Sequence, residues 1–114
     1  MKLYVDADET LVKWEMSLEI NKELVELLHQ GLRKGTYDIT VWSIFGKDWA
    51  EKYTQMLFPE FNIPYGIKHD LYLSVPEGSY AIDNRKEVDK GYLINFKKVF
   101  TSDEFISFQK IGPI

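Results

Sequence analysis

Asp6 and Asp8 are separated by one alanine and Thr10 follows two residues later, so two aspartates and a hydroxyl fall within five residues. In an extended chain, residues two apart point the same way, and both acids can then converge on one point. Two ionised carboxylates at close range repel, and a bound cation or a shared proton relieves the repulsion. Further along come a hydroxyl at Ser43, an ammonium at Lys68 and the pair Asp83-Asn84. Brought together, the carboxylates supply hard oxygen ligands for Mg²⁺, while the hydroxyl and the ammonium suit phosphate oxygens. A carboxylate can also take up a phosphoryl group as an aspartyl phosphate, splitting one difficult displacement into two easier ones. Singly, each residue has a plainer reading. The acid pair reads equally as a solvated turn, Ser43 as a turn or cap residue, Lys68 as a surface lysine and Asp83-Asn84 as a turn pair. Only their joint placement points to chemistry.

Positioning them requires strand ends. Lys2 to Val5 is apolar or amphipathic, without Pro or Gly, and reads as a buried strand that delivers Asp6 and Asp8 at its C-terminal end. Trp14 to Ile20 has no clear period and reads as a loop or short flap. Leu24, Val25, Leu27, Leu28 and Leu32 recur at three- and four-residue spacings, which predicts a helix over Asn21 to Arg33 with Asn21 as N-cap and Gly35 as its stop. His29 is expected on the helix surface. Tyr37 to Ser43 is β-branched and aromatic and predicts a second buried strand ending at Ser43. Lys47 to Leu57 again has helical spacing, and the prolines at 59 and 64 with Gly66 exclude helix after it. Ile67 to Leu73 carries Lys68 towards the sheet, and Tyr80 to Ile82 predicts a third strand delivering Asp83. In the tail, 92–96 and 98–101 suggest edge strands, and 103–109 a final helix capped by Ser102. Strand alternating with helix predicts an α/β fold with a parallel sheet, whose ligand site lies beyond the C-terminal strand ends.

Composition narrows the function. At 114 residues the chain suits one domain, 1–114, with no room for a separate substrate-covering module. A net charge of −4 disfavours general nucleic-acid binding, which needs clustered Lys and Arg, but leaves room for a phosphate ester at one local site. The absence of cysteine excludes disulfides, thiolate catalysis and Cys-ligated zinc. No secretory leader or membrane-spanning run is read from the sequence, so a cytoplasmic protein without membrane association is expected. The oligomeric state is left open.

The motif order resembles the haloacid dehalogenase superfamily of phosphohydrolases. Asp6-Ala7-Asp8-Glu9-Thr10 after a hydrophobic strand is similar to its first motif, Ser43 after Ile39 to Trp42 to the second, Lys68 to the third and Asp83-Asn84 to the acidic fourth. The resemblance covers about the first three-quarters of the chain. It implies a doubly wound, Rossmann-like parallel sheet with helices on both faces and no cap domain. It also implies a Mg²⁺-dependent phosphomonoesterase acting on a phosphorylated substrate, either a small molecule or a macromolecule end. By that resemblance Asp6 is the nucleophile and a metal ligand. Asp8 is the general acid and base and gives its backbone carbonyl to the metal. Thr10 braces the motif loop at the phosphate site, Ser43 and Lys68 hold the phosphate, and Asp83 completes the Mg²⁺ shell. Glu9, Asn84 and Arg85 stand beside these positions as candidates for contacting substrate or supporting the site. Glu9 replaces a glycine common in the family, and Asn84 replaces a second acid. Both features, with Lys68-His69-Asp70-Leu71, resemble the small carboxy-terminal-domain phosphatases, and other features resemble short bacterial capless phosphatases. Two further readings stand beside this one: a catalytically silent phosphate- or phosphopeptide-binding module on the same fold, and a receiver domain phosphorylated by a partner.

Overall fold

The alternation of Leu3 and Val5 with Tyr4 assigns the two faces of the first strand, and the same parity runs across its neighbours. In the computed structural model, which describes residues 1–14 and 16–111, the odd positions of β1 (Lys2–Asp6) face one apolar cluster and Tyr4 faces another. β4 (Asp38–Ser43) puts Ile39 and Val41 with the first and Trp42 with the second. β6 (Tyr80–Ile82) and β7 (Lys98–Phe100) divide the same way, Ile82 and Phe100 against Ala81 and Val99. With β5 (Tyr65–Ile67) these strands form a five-stranded sheet in the order β5-β4-β1-β6-β7, every pair parallel. Counted along the chain, the sheet strands run 3-2-1-4-5, the doubly wound order, and the order reverses between β1 and β6. Ligand crevices in such sheets open at the C-terminal ends of the strands at that reversal. Asp6 and Asp83 stand there.

Three long helices, α1 (Lys22–Arg33), α2 (Lys47–Leu57) and the last helix (Ser102–Ile111), all bury residues in the first cluster: Leu24 and Leu28, Tyr53 and Leu57, Phe105 and Ile106. The second face is covered differently. A one-turn helix, α3 (Lys68–Leu71), leads into a 3₁₀ turn over Tyr72–Ser74, and Leu71, Tyr72, Val75, Leu93 and Phe96 close over Tyr4 and Trp42. Helices on both faces were expected; one face instead carries a short helix and turns, because the links from β5 to β6 and from β6 to β7 contain no long amphipathic stretch.

Other expectations also meet differences. The segment 14–20, expected as a flap, belongs to an antiparallel hairpin of β2 (Val12–Trp14) and β3 (Leu18–Ile20); Glu15 lies outside the described residues. β5 went unread because Gly66 and the flanking prolines mask a three-residue strand. Gly66 is required there: a Cβ on it would lie 2.6 Å from a methyl carbon of Leu71. The strand expected at 92–96 is absent; a 3₁₀ turn over Lys90–Tyr92 precedes it, and Leu93 and Phe96 pack on the second cluster instead. The final helix, labelled α4, begins at Ser102 rather than after it. Its start is secured by Thr101 and Glu104, which exchange backbone and side-chain bonds at 2.8 and 3.2 Å in a capping box. No helix among the described residues is long and apolar enough to cross a membrane.

Candidate functional site

β1 ends with Asp6, level with Trp42 of β4, and Ala7 N–H extends the ladder to the Trp42 carbonyl at 3.0 Å. The chain then turns sharply. Leu11 and Val12 both donate to the Ala7 carbonyl at 3.1 Å, and Glu9 N–H donates to the Val12 carbonyl at 2.8 Å. The turn places Glu9 at φ 65°, in the left-handed region that favours glycine. Thr10 Oγ1 donates to Asp6 Oδ2 at 3.0 Å and accepts the Asn84 N–H at 2.8 Å. The Asn84 side chain donates to the Glu9 carbonyl at 2.8 Å and accepts the Ser102 N–H at 2.6 Å. A polar clamp therefore ties the β1 loop to the end of β6 and the start of α4.

Lys68 opens α3 directly after β5 and is fully buried. Its Nζ lies 2.9 Å from Asp6 Oδ1, 2.8 Å from Asp83 Oδ2 and 3.0 Å from Asp89 Oδ2, and 5.6 Å from the centre of the Trp42 ring. Asp83 Oδ1 accepts the Arg85 N–H at 2.7 Å. With all four groups ionised, three carboxylates surround one ammonium, a formal charge of −2 in a site shielded from water. Burial, together with the charge of Asp83, raises the Asp6 pKa from 3.8 to about 8 against the lowering pull of Lys68. Burial likewise raises Asp83. For Lys68 burial favours the neutral amine, and the charges of Asp6 and Asp83 outweigh it, so its pKa stands above the ordinary lysine range.

Asp8 is held by the next strand and helix. Ser43, at the end of β4, donates to Asp8 Oδ2 at 2.6 Å and accepts the Phe45 N–H at 3.0 Å; the indole N–H of Trp49 in α2 donates to Asp8 Oδ1. Asp6, Lys68 and Asp83 thus meet through direct contacts, Thr10 braces Asp6, and Asp8 and Ser43 form a second pair. Ser43 was expected on phosphate, and its hydroxyl here serves Asp8. Asn84 clamps loops, while Glu9 and Arg85 line the cavity beside Asp8.

No protein-family model matches the chain, and no curated protein or solved structure matches it either.

Two contributors escaped the sequence reading. Asp89 follows Asp83 by six residues in a stretch without periodicity, and only its acid type at a short distance after a strand-end acid could have marked it. Trp49 lay in a helical pattern that reads as core, and no local signal tells which indole N–H will meet a carboxylate. His29, expected on the helix surface, is half-buried against Phe58 and Phe61, with Nε2 2.6 Å from the Leu57 carbonyl at the end of α2.

Proposed function

We propose that this chain is a Mg²⁺-dependent phosphomonoesterase of the capless haloacid dehalogenase type, working through an aspartyl phosphate. The observation that carries the reading is the buried cluster of Asp6, Asp83 and Asp89 about Lys68, an excess of negative charge at the strand-order reversal of a parallel sheet. Oxygens of the three acids lie within 4.8 Å of one another. Each carboxylate has about four lone-pair sites, so the ammonium leaves some unused. A divalent cation fits this donor set in hardness and charge. Asp6 and Asp83 would hold it with the Asp8 backbone carbonyl, and Asp89 serves to anchor Lys68. When bound, such a cation supplies the positive charge that lets Asp6 ionise below its raised pKa and screens the incoming phosphate.

The residues of the chain then divide the work. The Asp6 carboxylate attacks phosphorus, the new O–P bond forming as the ester O–P bond breaks, while Asp8 gives its proton to the leaving oxygen. Water next attacks the aspartyl phosphate, Asp8 takes its proton, and release of inorganic phosphate regenerates Asp6. Lys68 faces the nucleophile and balances phosphate charge; Ser43 reaches phosphate by exchanging its bond to Asp8. Turnover of p-nitrophenyl phosphate with Mg²⁺ tests the reading. Asp6→Asn should lose more than the roughly 10²–10⁴-fold associated with general acid catalysis alone. Absence of turnover in the wild type, or undiminished turnover in the variant, would refute it.

One observation favours a second reading. Both Asp8 oxygens and the Ser43 hydroxyl are already engaged by protein partners, as in a module that binds phosphate and stops there. Calorimetry showing phosphopeptide binding without hydrolysis would select that alternative.

A further inference from the structure

Beside Asp8 lies a cavity of about 310 Å³ lined by Trp14, Phe45 and Trp49 together with Glu9, Val12 and Arg85. We propose that this cavity is the leaving-group subsite and takes a planar aromatic group carried by the phosphate ester. The inference rests on the assignment of Asp8 as proton donor, since the atom receiving that proton belongs to the leaving group.

The aromatic wall is unusual in being both exposed and fixed. Trp14 is 51% exposed and Phe45 63%, although apolar rings of this size are normally covered. Trp14 is held by its indole N–H, which donates at 2.7 Å to the hydroxyl of the fully buried Tyr53. Trp49 is held by Asp8 itself, and Tyr53 packs edge-on against Trp49 with ring centres 5.2 Å apart. Phe45 packs edge-on to Trp49 at 6.2 Å, and its N–H is bound to Ser43. An entering ring therefore meets surfaces already oriented, so little side-chain freedom is lost on binding. Flat aromatic walls reward a flat ligand through offset or edge-to-face contact, which an aliphatic chain cannot match. Because the Trp49 indole touches the acid, the aromatic surface begins directly at the reacting end. Arg85 adds a cation to the same wall, suited to an acceptor group on the ring.

The test is calorimetric binding to Asp6→Asn protein, in which no ester is consumed, with phenyl phosphate, adenosine monophosphate and glycerol 3-phosphate as probes. Both aromatic ligands should bind about tenfold more tightly than glycerol 3-phosphate. Preference between them tells whether the ring sits on the ester oxygen or one sugar away. Trp14→Ala and Phe45→Ala, each checked for an intact thermal transition, should weaken the aromatic ligands at least fivefold more than glycerol 3-phosphate. Phe45 is exposed enough for its variant to fold even if the hairpin depends on Trp14. Equal affinity for all three probes, no binding of any, or an aromatic preference that survives both substitutions would overturn the subsite. Wild-type turnover separates the two ideas: hydrolysis without aromatic selectivity sinks only the subsite, whereas aromatic binding without hydrolysis sinks the phosphatase and with it the leaving-group role, leaving the cavity as an aromatic-binding site alone.

Discussion

Glu9 is a long, charged residue in a backbone conformation that costs an L-residue about 1–2 kcal/mol. The loop holds it there because Thr10 and Asn84 lock the turn from both sides, the first through Asp6 and the second through the Glu9 carbonyl. Replacing Glu9 by glycine relieves the backbone and gives back about 0.4–1 kcal/mol through the freer unfolded chain. Glu9→Gly is therefore expected to stabilise the fold by roughly 0.5–1 kcal/mol in urea titration. A loss of stability would mean that the carboxylate makes a contribution beyond the turn. At the same scale Asp89, like Trp49, has a role that only the folded chain shows. It is the third acid on Lys68, and it keeps the ammonium centred between Asp6 and Asp83.

At the scale of elements, the helix α1 follows its pattern closely. Asn21 caps it by accepting the Leu24 N–H at 3.3 Å, and Gly35 leaves it at φ 71°. Gly31 inside it breaks helix propensity for a packing reason: a Cβ there would lie 1.9 Å from a ring carbon of the buried Tyr37, just before β4. Gly31→Ala gains about 1 kcal/mol of propensity but forces that ring off its site, and overpacking costs about 1–3 kcal/mol. The expected sign is destabilising, measured as a lower urea midpoint with unchanged m-value. A rise in midpoint would show that Tyr37 repacks freely.

For the molecule as a whole the governing quantity is charge in the buried cluster. The folded state holds the Asp6 proton to about pH 8, while the unfolded chain releases it near 3.8, so the folded state binds more protons across that interval. Stability of the metal-free protein should fall as pH rises from roughly 4 to 8, and the raised Asp83 acts in the same direction. A bound divalent cation competes with that proton. Mg²⁺ should then raise the melting temperature most near pH 8 and least near pH 5. A melting temperature flat across this range, or a Mg²⁺ effect independent of pH, would contradict the charge argument.

Much of the fold was legible because burial writes itself into local pattern. Three helices, four of the five sheet strands and their order along the chain follow from the pattern of apolar residues, the strand at 98–100 and the last helix included, and Asp6, Ser43 and Asp83 follow as strand-end residues. The short β5, the thin cover of the second face, the capping box at Thr101 and the 3₁₀ turn over Lys90–Tyr92 were not, since Pro64 and Gly66 mask the strand and turns and caps carry no apolar period. Sequence alone determined the residue types present at each strand end, and hence the hard-oxygen, hydroxyl and ammonium chemistry available. Only the tertiary structure decided which of them touch. Strand order sets Asp6 beside Asp83, and burial makes Lys68 a shared counter-ion rather than a surface charge. Packing of α2 delivers Trp49 to Asp8, because such contacts depend on distances between segments that no local pattern records.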